Sequence, residues 1–356
     1  MGMPGINITF SEKAVQVIKR GERGCIAMIL RDENAMLHME EQILNIVTID
    51  DIPSWLNEKN QEQIRLALLG YVNVPKQMIV YCIGLEDTYE KALKYLETTK
   101  FDYLVIPTVQ TDGKTLEIVS WIKGQREQRK HVKAILPNTE ADSEGIINFA
   151  TEKIYVKEKE YTTEQYCSRI AGVIAGTPLD ISCTYAPLPE VTDCTRLNKN
   201  ERKLAIEQGK LIIFHDGEKV KINSGVNSFV STNKTKGNQF KKIKIVDIMD
   251  MISDDITRTV EDHYIGKYAN SYDNKCLLIS AMNTYMKALQ EAMILNNYTI
   301  EIDVNANRLY LESKGISTVG MNENELKQAQ TDDKVFLKSK LEIVDAMEEL
   351  ELPIQI

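Results

Sequence analysis

A run of apolar strands separated by single helices is the feature that most constrains the fold of this chain. Three short apolar segments bounded by polar residues predict buried strands: Gln77–Ile83, Phe101–Ile106 and Val132–Leu136. Apolar residues at helical spacing predict one helix in each interval, over Glu86–Thr99 and Thr115–Gln125. Because strands joined by single helices make right-handed crossovers, this stretch predicts a mainly parallel sheet.

The segments that precede and follow this run have other patterns. Cys25–Leu30 and Ile43–Ile49 predict two further strands, which makes the start of the chain β-rich. A helix is predicted over Thr162–Ala175, and Gly176-Thr177-Pro178 predicts its end, because glycine and proline stop helices. The chain is therefore expected to combine α/β and α+β domains.

The second half of the chain starts with turns and ends with long helices. Lys210–Phe214 and Lys219–Ile222 predict a hairpin whose turn is Asp216-Gly217. Apolar periodicity then predicts two amphipathic helices followed by two strands, as expected for an α+β domain. These four elements are Ile243–Tyr264, Asn274–Leu295, Tyr298–Val304 and Val335–Val344.

Length and charge limit the classes of function. With 356 residues the chain has room for two or three domains, at about 100–200 residues each. Its formal net charge is −9, whereas nucleic-acid binding needs clustered lysines and arginines, so we predict no nucleic-acid partner. The longest apolar runs have about six residues against the ~20 that span a bilayer, so we predict no membrane insertion. The start has no signal-peptide pattern, which predicts a soluble protein.

Residues that usually carry chemistry are scattered along the chain. Gly113-Lys114-Thr115 lacks the earlier glycine of a phosphate-binding loop, whose place is taken by Thr108. His215-Asp216 falls at the predicted hairpin tip, where a surface turn is favoured over a catalytic pair. We therefore predict no catalytic residue, no metal site and no cofactor. The cysteines, expected to be small buried residues, and the other histidines stand apart: Cys25, Cys82, Cys167, Cys183, Cys194, Cys276, His38, His131 and His263.

Five lysines form a dense basic stretch, namely Lys234, Lys236, Lys241, Lys242 and Lys244. Such a run is usually a solvated loop. The functional interpretation is a surface complementary to an acidic partner. Nucleic acid is disfavoured, because no aromatic side chain alternates with these lysines to form a stacking platform.

Both ends of the chain alternate apolar and polar residues, which is the pattern of a strand with one apolar face. Ile6, Ile8 and Phe10 show it at the start. Leu350, Leu352, Ile354 and Ile356 show it at the end. Two interpretations stay open. The strands pair within the monomer, or they add to sheets of neighbouring subunits through main-chain hydrogen bonds.

Five segments carry a resemblance to a known family: Met3–Ile6, Ala175–Asp180, Ala186–Pro189, Ser224–Phe229 and Lys244–Ile252. Their order and spacing resemble those of the contractile tail sheath proteins of phages and of R-type, phage-tail-like bacteriocins. The chain is particularly similar to the diffocin-type sheath of Gram-positive bacteria and their defective prophages. The resemblance covers nearly the whole chain, and the set of segments is specific.

The resemblance implies three regions and two strand arms. It places a small β-rich N-terminal part at residues 21–75 and a subtilisin-like α/β middle domain with a mainly parallel sheet at 76–240. A C-terminal α+β sheath domain is implied at 241–345, and the arms at 1–20 and 346–356. The likeness to subtilisin is one of fold only, without protease activity.

The same resemblance implies a mechanical function. Subunits of this family polymerise as stacked hexameric rings around an inner tube, stay extended in a metastable state, and contract to drive the tube through a target cell envelope. This requires two packings of one folded subunit, the contracted one lower in free energy. The implied partners are other copies, the inner tail tube protein, and baseplate and tail-terminator proteins. The protein would be made in the bacterial cytoplasm and act outside the cell in a released particle.

Two sets of residues follow from the resemblance. The first would pair with neighbouring subunits as strand arms: Pro4, Gly5, Ile6, Ile8, Phe10, Leu350, Leu352, Ile354 and Ile356. The second would face the tube or a neighbour with weak charge contacts, which contribute ~0–1 kcal/mol each and can break during contraction. Its members, for which an ordinary solvated helix face is the alternative, are Asp254, Asp255, Glu261, Asp262, Glu323, Glu325 and Lys327.

Two other functions stay open beside this one. A soluble α/β-class enzyme, either a hydrolase or a nucleotide-binding protein, would need a site that the motif search does not identify. A monomeric binding module would use the basic stretch around residues 234–244.

Overall fold

A computed structural model of the chain describes residues 18, 20 and 23–355. The predicted N-terminal arm residues, from Pro4 to Phe10, lie outside the described residues, and so does Ile356. The described residues divide into two compact units. The large unit contains residues 23–250 and 345–355, and the small unit contains residues 18, 20 and 251–344.

The described part of the large unit alternates strands with helices. Its strands are β1 (Cys25–Arg31), β2 (Ile43–Ile46), β3 (Gln77–Ile83), β4 (Tyr103–Val105), β5 (Lys133–Pro137), β6 (Ile146–Phe149), β7 (Lys153–Val156), β8 (Lys159–Thr162), β9 (Asp193–Cys194), β10 (Lys210–Leu211), β11 (Ile213–His215) and β12 (Val220–Ile222). Its helices are α1 (Glu58–Leu68), α2 (Glu90–Leu96), α3 (Thr115–Glu127), α4 (Thr163–Ala175) and α5 (Lys199–Glu207).

Seven of these strands form one sheet in the order β10-β6-β5-β4-β1-β3-β2. Every neighbouring pair is parallel except β2 and β3, which confirms the predicted mainly parallel sheet. Strand β1 lies between β4 and β3, so the predicted boundary at residue 75 runs between strands of a single sheet. The remaining predicted domain boundaries stay predictions.

Both faces of this sheet are covered by helices. Met28 of β1 packs in one apolar cluster with Ala67 of α1 and Ile170 of α4. The next residue, Ala27, points to the opposite face and packs in a second cluster that includes Leu93 of α2. Because both faces are buried, the strands are nearly continuous apolar runs, the pattern from which the parallel sheet was predicted.

Helix α4 has the bounds that its sequence signals predict. Thr162 accepts a hydrogen bond from the Gln165 amide, and the Gln165 side chain accepts one from the Thr162 amide, which together start the helix. The helix ends at Gly176. Gly172 lies against α1 so closely that a Cβ there would stand 2.0 Å from the Ala67 carbonyl oxygen. The two helices therefore pack backbone to backbone.

Several predicted bounds need correction. The hairpin is confirmed as β11 and β12, with Gly217 in its turn at a φ of 114°. However, Lys210-Leu211 belongs to the large sheet, because β10 pairs with β6. The helix expected over Glu86–Thr99 is shorter, as α2. Strands β6 to β9 and helix α5 were not predicted, because such short elements carry little periodic signal.

The small unit has the predicted α+β pattern. Helix α6 (Ile243–His263) starts in the large unit and ends in the small one. The elements that follow α6 are α7 (Tyr272–Glu291), β13 (Leu295–Ile302), α8 (Val304–Ser313), α9 (Glu323–Gln328) and β14 (Leu337–Ile343). Strands β13 and β14 pair antiparallel, with Tyr298 opposite Leu341, and form a two-stranded sheet.

Candidate functional site

The C-terminal arm has no strand partner within the described part of the chain. Residues 344–355 contain no helix or strand there. Its alternating apolar side chains are exposed: 87% for Leu350, 70% for Leu352 and 76% for Ile354. Since apolar side chains gain free energy when they leave water, this row is a candidate contact for another chain.

The start of the arm, in contrast, is held by the large unit. One carboxylate oxygen of Glu348 accepts hydrogen bonds from the Thr184 hydroxyl at 2.6 Å and the Ser182 hydroxyl at 3.2 Å. The other oxygen lies 3.0 Å from the Lys242 ammonium group, which is also 2.6 Å from a carboxylate oxygen of Asp345. We call Ser182, Thr184 and Lys242 the carboxylate cradle.

The backbone around the cradle is closely packed. Lys242 forms an antiparallel bridge with Val226, and the Thr184 hydroxyl also accepts a hydrogen bond from the Gly225 amide at 2.9 Å. A Cβ on Gly225 would stand 2.9 Å from Cys183 Sγ and 3.1 Å from Ser182 Oγ, so a side chain there would require these groups to shift. Burial alone would lower the pKa of Lys242, but its hydrogen bonds to Asp345 and Glu348 raise it.

A groove of about 820 Å³ adjoins the cradle and the start of the arm. Two carboxylates, Glu348 and Glu349, also line it. The positive side chains of the groove outnumber these two carboxylates, although the whole chain has a net charge of −9. The groove therefore attracts negative groups. The positive side chains are Lys199, Arg202, Lys203, Lys241 and Lys242.

The basic stretch is not simply a solvated loop. Lys242 belongs to the cradle, and Lys236 lies 2.7 Å from a Glu144 carboxylate oxygen. Lys244 is buried, and its ammonium group donates to the Asp180 carbonyl at 2.9 Å. Three of the five lysines are therefore bound to other parts of the large unit, which corrects the solvated-loop interpretation for them. A role toward an acidic partner stays a prediction.

One of the predicted tube- or neighbour-facing charges is wrong. Asp255 is only 2% exposed, and its carboxylate accepts a hydrogen bond from the Tyr285 hydroxyl at 2.8 Å. It faces inward because its position in α6 falls on the apolar stripe of that helix. The other candidates are exposed or partly exposed: Asp254, Glu261, Asp262, Glu323, Glu325 and Lys327.

The three candidate charges on α9 also have local partners. Lys327 lies 2.6 Å from Glu323, one helical turn away. Glu325 accepts a hydrogen bond from the Asn322 amide and so helps to start the helix. These contacts are the ones that a solvated helix face also makes.

A buried charge network in the large unit escaped the sequence analysis. Lys133 of β5 is 1% exposed and lies 2.5 Å from Asp250 and 2.9 Å from Asp247, both in the first turns of α6. Arg126 of α3 binds both oxygens of Asp250, at 3.0 and 3.1 Å. The Tyr103 hydroxyl donates to Asp247 at 2.5 Å. Two acidic residues inside the apolar run Lys244–Ile252 were the signal that could have revealed it.

The network shifts the pKa of two of its members. Burial would raise the pKa of Asp250, but Lys133 and Arg126 hold it far below the ordinary carboxyl range. Burial and the neighbouring Asp247 raise the pKa of Tyr103 well above that of an ordinary tyrosine. The network therefore keeps the Asp250 carboxylate charged and fixes the start of α6 against β5.

Groups with metal-ligand chemistry do not cluster in the part of the chain that the structure describes. His215 and Asp216 lie at the tip of the hairpin, where Asp216 pairs with Lys221 at 2.6 Å. Four of the six cysteines are buried, Cys25 is half-buried and Cys276 is exposed. Among the described residues, no helix is long and apolar enough to cross a membrane.

Comparisons with known proteins identify the family. Residues 86–228 match the phage tail sheath protein central domain, and residues 235–356 match the phage tail sheath C-terminal domain. The tail sheath protein of Clostridium phage phiCD119 is 37% identical over 361 residues, which cover 99% of each chain. The chain belongs to the phage tail sheath family. This is the family that the five sequence segments predicted.

Solved structures share the fold of the sheath protein. A chain of the anti-feeding prophage helical sheath in its contracted state matches with a TM-score of 0.72 and 13% identity, covering 100% of this chain and 99% of that one. The sheath tail protein of Desulfitobacterium hafniense matches with a TM-score of 0.68 and 17% identity, covering 85% and 94%. These matches confirm the mixed α/β architecture, and none of them supports the enzyme alternative.

Proposed function

We propose that this sheath protein polymerises as stacked hexameric rings around an inner tube and contracts from a metastable extended state to drive that tube through a cell envelope. Family membership supports the proposal, and so does the exposed apolar row of the C-terminal arm, which is the observation that carries it. A subunit that must change its packing without dissociating needs contacts that survive the change. Strands exchanged between copies are contacts of this kind.

The small unit offers a place for such strands. Its sheet has two strands of eight and seven residues, and the described chain adds no third strand to either edge. An open edge presents unpaired main-chain groups, which makes it a template for a strand from another chain. We propose that Leu350, Leu352, Ile354 and Ile356 of one copy, and the N-terminal residues Pro4–Phe10 of another, add to this sheet in neighbouring copies.

Contact with the tube is proposed to be weak and polar. Exposed and partly exposed charges of the small unit support this assignment: Asp254, Glu261, Asp262, Glu323, Glu325 and Lys327. Each exposed pair contributes only ~0–1 kcal/mol, so a row of them can form in many copies and break during contraction. Asp255 is left out because it is buried.

The finer features implied by the family complete the proposal. They are a subtilisin-like fold without protease activity for residues 76–240, a sheath domain at 241–345 and arms at 1–20 and 346–356. Baseplate and tail-terminator proteins are the other proposed partners, alongside the tube. The protein would be made in the bacterial cytoplasm, act outside the cell in a released particle, and catalyse no reaction.

Removing the arm tests the proposal. Purified full-length chain, viewed by negative-stain electron microscopy, is expected to form tubular polymers. Deletion of residues 350–356 should abolish the polymers and leave the circular dichroism and melting temperature unchanged, because side chains 350–355 are exposed. Unfolding of the shortened chain would place the arm in the monomer core and contradict the proposal.

A matched pair of variants tests whether assembly requires the apolar face of the arm and not only the presence of the arm. Replacing Leu350, Leu352 and Ile354 by serine should abolish the polymers, because the apolar row is lost. Replacing Glu349 and Glu351 by glutamine changes the alternate face and should leave them intact. Equal assembly by both variants would contradict a strand with one buried apolar face.

A further inference from the structure

The carboxylate cradle singles out one side chain of an otherwise exposed segment. Met347 and Glu349, on either side of Glu348, are both exposed. Glu348 has only 22% of its side chain exposed and is bound by two hydroxyl groups and one ammonium group. Hydrogen bonds from charged or hydroxyl donors to a carboxylate are among the stronger ones in proteins, so this contact is specific.

The cradle holds the chain at the point where the arm begins. Lys242 binds Asp345 and Glu348 together, so residues 345–348 are fixed at both ends. The seven residues after Glu348, residues 349–355, belong to no helix or strand in the described part of the chain. In the described chain, Glu348 is therefore the last residue of the arm for which a specific anchor on the large unit is seen.

The base of the cradle is itself rigid. The Ile243 amide, next to Lys242, donates to the Gly225 carbonyl at 3.0 Å, and Lys242 directly precedes α6. The buried network of Lys133, Asp247 and Asp250 then fixes the first turns of α6 to β5. The anchor of the arm is thus connected through short contacts to the central sheet.

We propose that the cradle is a latch for the Glu348 carboxylate that sets where the C-terminal arm leaves the large unit, so that the arm is presented to a neighbouring copy. The inference rests on the proposed exchange of the arm. A short segment that starts from a fixed point samples fewer positions than one that starts from a free point, and it therefore loses less entropy when it binds. Ser182, Thr184, Lys242 and Glu348 are positioning residues for assembly in this scheme.

The test compares assembly by variants that open the latch with matched controls. Glu348→Ala and Thr184→Val remove the carboxylate or its closest hydroxyl donor. Glu349→Ala removes a neighbouring exposed glutamate, and Thr184→Ser keeps the hydroxyl. We expect the first two to raise the critical concentration for polymerisation, measured by sedimentation, about tenfold, as the loss of one charge-assisted bond implies. The two controls should stay within about twofold of the unchanged chain.

Hydrogen exchange supplies a readout that a general loss of stability would not produce. In dilute, unpolymerised protein, amides 346–349 should exchange faster in Glu348→Ala and Thr184→Val, while amides of the central sheet keep their rates. If only the sheet amides exchanged faster, the cradle would be a stabilising contact and the latch would be overturned.

Two outcomes separate this inference from the function on which it rests. If Glu348→Ala and Thr184→Val polymerise like the unchanged chain while deletion of 350–356 prevents polymerisation, the latch is wrong and arm exchange stands. If the deleted chain also polymerises, arm exchange fails and the latch fails with it. Slower assembly by both latch variants, with normal assembly by both controls, supports the latch.

Discussion

The large and the small unit use their sheets in opposite ways. Every residue of β5 and β6 in the large unit is buried. In β13, which is longer, only Leu295 and Ile302 are buried, and β14 has no buried residue. A sheet covered on both faces stabilises its own chain, whereas open edges leave main-chain groups available to another chain. We therefore expect stability to depend mainly on the sheet of the large unit, and assembly on the sheet of the small one.

The charges follow the same division. In the large unit, Lys133 is buried between Asp247 and Asp250. In the small unit, Lys338 pairs with Glu301 across the two strands at 3.1 Å, with about half of each side chain exposed. Breaking a buried pair leaves an uncompensated charge away from water, but breaking an exposed pair does not. Substitutions in the two pairs should differ strongly in effect.

Asp250→Asn is expected to have the largest effect on stability. It leaves Lys133 and Arg126 buried with one carboxylate fewer, and removing one partner of a buried pair usually costs ~3–5 kcal/mol. Both tryptophans, Trp55 and Trp121, lie in the large unit. Urea unfolding followed by tryptophan fluorescence therefore measures the free energy of unfolding of that unit.

Asp262→Asn is the matched control, because Asp262 is exposed on the same helix. We expect it to change the free energy of unfolding by less than about 0.5 kcal/mol. Both variants are best measured without residues 350–356, so that polymerisation does not interfere. An equally small effect of Asp250→Asn would show that the buried network does not stabilise the large unit.

Acid should lower the free energy of unfolding through the same network, by a smaller amount than Asp250→Asn does. The pKa of Asp250 is lowered in the folded protein, because Lys133 and Arg126 outweigh its burial. Its stabilising contribution is therefore complete above its unfolded pKa of about 4 and is lost as the pH falls below that value toward the folded pKa. One proton gives a slope of at most about 1.4 kcal/mol per pH unit.

The acid measurement compares, for two chains, how steeply the free energy of unfolding falls as the pH is lowered. Urea unfolding at a series of pH values from neutral to about 3 should show a steeper acid loss in the unchanged chain than in Asp250→Asn. The difference isolates one carboxylate from the many others that titrate in this range. Identical slopes in both chains would mean that Asp250 does not carry the shifted pKa.

Local patterns predicted most of the elements and failed where partners are distant in sequence. The apolar runs at residues 77–83 and 132–136 and the periodicity of α4 and α7 were sufficient, because burial on one or both faces is written into neighbouring residues. The place of β1 between β3 and β4 could not be predicted, since strand order depends on contacts between remote segments. For the same reason, the sequence analysis placed a boundary at residue 75, although β1 and β2 lie in one sheet with β3.

The candidate site shows this limit most clearly. The alternation of Leu350, Leu352 and Ile354 predicted a one-sided apolar row and left open whether it pairs within the monomer, and the structure shows these side chains exposed. The cradle was invisible, because Glu348 is 166 residues from Ser182 and 164 from Thr184, and nothing local in either segment announces the other. Asp255 was misassigned for a related reason, since its partner Tyr285 lies on another helix.

Lys338→Ala should have the smallest effect and completes the contrast between the units. The pair with Glu301 is half exposed, so its removal should change local stability by no more than about 0.5 kcal/mol. The small unit has no tryptophan, so hydrogen exchange of amides 295–302 in unpolymerised protein is the suitable measurement. Exchange rates should rise by about twofold or less, because 0.5 kcal/mol corresponds to roughly that factor. A much larger increase would mean that β13 and β14 depend on their surface charges as the large unit depends on its buried ones, and the division between a stabilising and an assembling sheet would no longer hold.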